Sequence, residues 1–230
     1  MNNGPLLFLG LFAAMVFSWL GFVMGPQLQI GNLPQTNTVV VGDAISQAYP
    51  VALSGNAHQG EEVYRANGCA ACHTQMVRAG DSSPLAGPDI SHGWGARRSV
   101  AEDYLFDQPV LLGSQRIGPD LANYGRRSSI DAILRRLYDP RSLVPGSIMP
   151  SYRFFFKTRK IEGAPSPDAL VLSGKDAPAP GYEVVPGPRA RSLAAYLLSL
   201  HQDGYLYEAP PPALPPPPKT NAPPAMAVKK

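Results

Sequence analysis

The pentapeptide Cys69-Ala70-Ala71-Cys72-His73 constrains this chain more than any other stretch, and it uses both cysteines of the 230 residues. Two thiols at this spacing can each add to a vinyl group of one porphyrin, and the histidine that follows can bind its iron. The pattern C-x-x-C-H is that of covalent c-type haem attachment. One haem c is therefore expected, with Cys69 and Cys72 as its thioether anchors and His73 as an iron ligand. Two competing readings are a thioredoxin-like redox pair and half of a zinc site. The zinc reading lacks a second cluster, because His58, His92 and His201 stand alone and far apart. The thioredoxin-like reading wants a βαβ unit, and the residues flanking the pair do not alternate like a strand.

The charge pattern adds a second constraint. No Asp, Glu, Lys or Arg precedes Asp43, and residues 6–24 (LLFLGLFAAMVFSWLGFVM) carry Ser18 as their only clearly polar side chain. As a helix this run spans about 28 Å, roughly the hydrocarbon thickness of a bilayer. Trp19 lies near its end, where an interfacial aromatic is favoured. A cleaved signal peptide is the competing reading. Met1-Asn2-Asn3-Gly4 lacks the basic residue such a segment carries, the apolar run is long for it, and no clear cleavage pattern follows. An anchor is expected over residues 1–26. Because c-type haem is attached on the outer face of the bacterial inner membrane, the rest of the chain is expected in the periplasm. The net charge of +3 gives no reason to expect a nucleic-acid partner.

Residues 27–56 are polar and punctuated by Pro and Gly, and read as a tether, with Val39-Val40-Val41 as a possible short strand. The folded domain is expected over 57–206. Residues 59–67 read as a short helix ending at Gly68, with Val63 and Tyr64 on its apolar face. Residues 78–117 have poor periodicity but carry Trp94, Tyr104 and Phe106, so they read as an ordered excursion that covers the cofactor or docks on a partner. Ser128 and Asp131 resemble a capping box. Ile130, Ile133, Leu134 and Leu137 follow at helical spacing and stop before Pro140. Residues 159–187 read as a Pro/Gly-rich loop, and Pro188 as the first position of a last helix with Leu193, Tyr196, Leu197 and Leu200 inward. Nine of the 26 prolines fall in a tail, residues 207–230, expected to be extended.

An electron carrier needs a second axial ligand from a distant part of the chain. Met76 leaves on the same side as His73, and Met1, Met15, Met24 and Met226 lie in the anchor or the tail. Met149, stiffened by Pro150, remains; His92 or His201 would give bis-histidine ligation instead. Met/His ligation raises the reduction potential and closes the iron to substrate. Metal-bound histidines give their other N–H to an acceptor. In Gly118-Pro119-Asp120-Leu121 the proline carbonyl is suited to accept it from His73. Arg78, Arg116 and Arg126 are candidate partners for haem propionates.

The order of Gly60 with Tyr64, Cys69 to His73, Gly118 to Leu121, Met149-Pro150 and the Leu193 to Leu200 segment resembles the class I c-type cytochromes. In that family the first and last helices cross over a glycine and two aromatics, which implies Gly60, Tyr64 and Tyr196 at that crossing, with Tyr64 among the cofactor-binding residues. Three stretches resemble, more narrowly, the monohaem subunit of cbb3-type cytochrome c oxidases. They are Cys72-His73-Thr74-Gln75-Met76-Val77-Arg78, then Tyr104 to Pro109 leading into Gly113 to Leu121, then Asp139-Pro140-Arg141 to Pro150. The fold class implied is mostly α, with a single N-terminal transmembrane helix followed by a class I cytochrome c-like helical domain with long irregular loops. The function implied is transfer of electrons to an integral-membrane catalytic oxidase subunit, alongside other cytochrome subunits. The alternatives are a cytochrome subunit of another complex such as a nitric oxide reductase, a free membrane-tethered shuttle, and a thiol oxidoreductase without haem.

Overall fold

The computed structural model describes residues 3–39, 46–80 and 88–210. The tail beyond residue 210, and Val40 and Val41 of the run read as a strand, lie outside them. Helix α1 (Gly4–Trp19) passes through a π turn (Leu20–Met24) into α2 (Gly25–Ile30), making one apolar helix of 27 residues with no buried side chain. Pro26 accounts for the π turn. Its ring crowds the carbonyl one turn earlier, the ladder widens, and the Gly25 N–H reaches back to Leu20 O. By length and composition this helix is able to cross a membrane, with its apolar surface facing outward all round.

Strands β1 (Thr36–Val39) and β2 (Ser46–Tyr49) pair antiparallel, with Thr36 opposite Tyr49. Helix α3 (Gly55–Ala66) starts at Ser54, whose hydroxyl accepts from Ala57 N at 3.3 Å, and it ends before Gly68, which takes φ +67°. A 3-10 turn (Cys69–Ala71) carries the cysteine motif. The short α4 (Pro88–Ser91) and α5 (Tyr124–Arg127) precede α6 (Ile130–Tyr138) and α7 (Pro140–Leu143). Strands β3 (Phe156–Lys160) and β4 (Tyr182–Pro186) form a second antiparallel pair, and α8 (Pro188–Ser199) follows.

The core forms where α3 crosses α8. A Cβ on Gly60 would stand 1.9 Å from Ser192 O, so only glycine permits this approach. Tyr64 and Tyr196 meet just beyond it, ring centroids 5.4 Å apart. Helix α6 adds Ile133, Leu134, Leu137 and Tyr138 to the same cluster, together with Leu193 and Leu197 of α8.

Four sequence readings need correction. The cap of α6 is Ser129, whose hydroxyl accepts from Ala132 N, and not Ser128. Ile130, at the first turn, stays half exposed because the core begins one turn later. Residues 159–187 are not one loop: they contain most of the β3–β4 pair, whose alternation is hidden because only β4 is buried on both faces. Residues 27–56 are not a plain tether either. Gln35 Nε2 donates to Pro50 O at 2.8 Å, Thr38 Oγ1 donates to Tyr205 O, and Tyr49 is 3% exposed. This arm is docked on the domain through a small second core of Tyr49, Val100, Leu206 and Ala209.

Candidate functional site

The cysteine motif hangs between the end of α3 and a segment that doubles back over it. Ser114 N donates to Ala70 O, Gly118 N to Cys72 O and Leu121 N to Thr74 O, at 3.0, 2.9 and 2.7 Å, and Gln75 N returns one to Leu112 O. Two glycines allow this closeness. Gly113 takes φ +81° with its hypothetical Cβ 2.1 Å from His73 O, and a Cβ on Gly118 would stand 2.2 Å from His73 Cε1. The imidazole thus lies flat on a bare backbone.

Pro119 O accepts from His73 Nδ1 at 2.8 Å. That fixes the ring and leaves Nε2 as the nitrogen for a metal. Burial lowers the His73 pKa, while the Pro119 carbonyl and the Asp120 charge oppose that shift. The neutral imidazole that a metal needs is favoured. Both cysteines are free thiols of intermediate exposure. Burial pushes the Cys69 thiol up to about 11, with the Tyr152 hydroxyl beside it pulling the other way.

Met149 is partly buried and packs against the main core, as Cys69, Ala70 and Leu111 do. Its loop is pinned to α6, because Tyr152 N donates to Leu137 O and Ser151 Oγ to Tyr138 O, at 2.8 and 2.5 Å. Tyr64 is 1% exposed in the same core. His92 instead stacks on Trp94 at 5.1 Å, and His201 packs on Gly125 beside Asp203.

Arg116 is drawn to the motif but not left open for a propionate. Its Nε donates to Thr74 Oγ1 at 2.8 Å, and its two terminal nitrogens to Asp89 Oδ1 and Met76 O, both at 2.6 Å. Its face also lies over Trp94, 5.2 Å from the ring centroid. Every nitrogen of the fork is spent on protein. Arg126 pairs with Asp203. Sequence reasoning also passed over Thr74, Asp89 and Asp120. Asp120 is fully buried and accepts from Thr74 Oγ1, Met76 N and Ala122 N at 2.6, 2.8 and 2.9 Å. The only sequence signal was its place in the Gly-Pro-Asp-Leu turn.

The donor set fits a haem: two unpaired thiols at the attachment spacing, an imidazole oriented through Nδ1, and a half-buried thioether on the same core. A mostly helical domain with this donor set behind a membrane-length helix defines a class, the membrane-anchored haem protein. The comparisons narrow it. The family model described as cytochrome C oxidase, mono-heme subunit/FixO matches residues 15–170, and the chain belongs to that family. It is therefore a haem-containing subunit of a cytochrome oxidase complex. No curated protein matches it.

Proposed function

We propose that the chain is the membrane-anchored, single-haem c subunit of a cbb3-type-like terminal oxidase. It accepts an electron on a periplasmic, class I cytochrome c-like domain over residues 57–206 and passes it to the integral-membrane catalytic subunit. The observation that carries this reading is the Cys69–Cys72–His73 motif with His73 Nδ1 tied to Pro119 O. Haem c, once attached, supplies a one-electron iron couple. Cys69 and Cys72 would hold it through thioethers, and His73 and Met149 would be its axial ligands. The Pro119 carbonyl fixes the imidazole through Nδ1 and leaves Nε2 for the iron, and Tyr64, in the same core as Cys69, would border the cofactor. A thioether in the sixth position favours the ferrous state and excludes oxygen, so these residues serve electron transfer and not chemistry on a substrate.

Two observations weigh on the alternatives. A thiol oxidoreductase needs a depressed thiol pKa, whereas the Cys69 thiol is pushed up to about 11 by burial. A free shuttle needs a long swinging tether. Here only residues 31–35 lie between α2 and β1, whose Thr38 is bonded to Tyr205 O of the domain, a reach of about 17 Å at full extension. That favours a haem domain held at one height above the bilayer of the bacterial inner membrane, facing a partner fixed in the same membrane. Proximity, not affinity, then sustains transfer.

Intact-mass analysis and a pyridine haemochrome spectrum of protein from a host that attaches haem c test the reading. A mass of chain plus one haem and a c-type band are expected. Met149→Ala should open the ferrous iron to carbon monoxide while leaving that band in place. A bare polypeptide of full mass defeats the proposal, and an unchanged carbon monoxide response removes Met149 as ligand.

A further inference from the structure

Next to His73, three charged side chains form one unit joined through Thr74. Arg116 Nε donates to Thr74 Oγ1 and Thr74 Oγ1 donates to Asp120 Oδ2, at 2.8 and 2.6 Å. Arg116 also reaches Asp89 Oδ1 at 2.6 Å and lies 3.7 Å from Asp120 Oδ2. Asp120 and Asp89 are 0% and 3% exposed, and the Arg116 side chain 15%. Two carboxylates and one guanidinium give this unit a formal charge of −1, with Arg127 next to Asp120 and Arg78 acting on Asp89 as flanking cations. The peptide carbonyl that accepts from His73 Nδ1 belongs to Pro119, the residue before Asp120. Asp120 is clamped by three donors, so the direction of that carbonyl is set by how the carboxylate is held.

We propose that Asp120, Arg116 and Asp89 act together as a fixed-charge positioning unit that sets the reduction potential of the haem iron through His73. The proposal rests on the haem reading above. A buried negative charge near the iron favours the ferric state, whose extra positive charge it stabilises. Each carboxylate therefore lowers the potential and the guanidinium raises it. Arg116 moderates the unit: its cation offsets one of the two carboxylates, and Trp94 and Asp89 keep it from swinging out to water. None of these side chains need touch the haem. They act through the carbonyl and through the field.

The charges give predictions of opposite sign, which a merely structural role does not. Asp120→Asn takes the unit from −1 to 0 and should raise the midpoint potential. Arg116→Gln takes it to −2 and should lower it. Arg116→Lys keeps the charge while losing the fork, and should return the potential most of the way to that of the parent. Potentiometric titration of the detergent-solubilised, haem-loaded protein reads all three, each variant first checked for its c-type band. Shifts of the same sign in Asp120→Asn and Arg116→Gln, or no shift in either, overturn the proposal. So does an Arg116→Lys potential as low as that of Arg116→Gln. If Asp120→Asn fails to accumulate, the Gln and Lys variants of Arg116 decide alone. A parent protein without a c-type band would instead defeat the haem reading, which keeps the two failures apart.

Discussion

Two of the arginines in residues 78–117, Arg97 and Arg116, find buried carboxylates, with different results. Arg97 is sealed. It is 1% exposed and meets Asp103 through both terminal nitrogens at 2.6 and 2.9 Å, while its Nε donates to Gly204 O. The Tyr49 hydroxyl donates to the same carboxylate. Arg116 is nearer the surface and divides its donors between Asp89, Thr74 and a main-chain carbonyl next to the motif. The first constellation joins three distant stretches of chain: the arm, residues 97–103 and the segment after α8. The second joins residues 74–76, Asp89 and residues 116–120, beside His73. The same ion pair thus serves as a fastener in one place and as a field source in the other. What separates the two roles is what sits alongside, the arm that follows the apolar helix or the imidazole of the cysteine motif.

Breaking the fastener should cost most. Arg97→Met strands the Asp103 carboxylate in a dry site, and removing one partner of a buried pair costs about 3–5 kcal/mol. Arg116→Met, partly solvated, should cost less, about 1–3 kcal/mol. Denaturant unfolding of the haem-loaded protein checks the order. A double Arg97→Met/Asp103→Leu variant should recover much of the loss, because a matched apolar pair leaves no orphaned charge. Equal losses at the two arginines would erase the distinction. A gentler break is Tyr49→Phe, which removes one hydrogen bond to Asp103 and should cost about 1–2 kcal/mol. Hydrogen exchange over residues 36–38 and 47–49 should rise in this variant with the haem spectrum unchanged, since the arm loosens while the motif stays held.

The sequence made the motif side of this comparison readable and left the fastener dark. Cys69, Cys72 and His73 announce themselves by spacing. Gly60 and Tyr64 were placed at the α3–α8 crossing by the resemblance to class I c-type cytochromes, and the closeness of Ser192 O to a Cβ at Gly60 supplies the physical reason. Pro119 follows from its turn. All of these are local patterns or adjacent residues. Tyr49, Arg97, Asp103 and Gly204 carry no such mark, because what joins them is contact between stretches far apart in the chain. The docking of residues 36–38 was unreadable for the same reason, since a hydroxyl–carbonyl bond from Thr38 to Tyr205 has no periodicity. The propionate role for Arg116 misled because an arginine near a haem motif has two possible anions, the cofactor and Asp89.

Asp107 shows what a carboxylate does here without an arginine, and it carries the smallest expected effect. It lines a cavity of about 290 Å³ between the arm, residues 103–107 and the end of α8. Burial first, then the charges of Glu61 and Asp103, raise its pKa to about 6. A carboxyl raised in the folded state binds its proton more tightly there than in the unfolded chain. Its stabilising contribution is therefore complete below about pH 4, the ordinary Asp range. It is lost as pH rises through about 6. Asp107→Asn, which cannot ionise, should match the parent protein near pH 4 and be the more stable of the two at pH 7 to 8. Denaturant midpoints measured across that range check it. Asp89, held by Arg116 with a pKa below the ordinary value, should do the reverse: replaced by Asn, it should cost more stability at pH 7 than at pH 3. If both variants changed with pH in the same direction, the pairing with arginine would not be what divides these carboxylates.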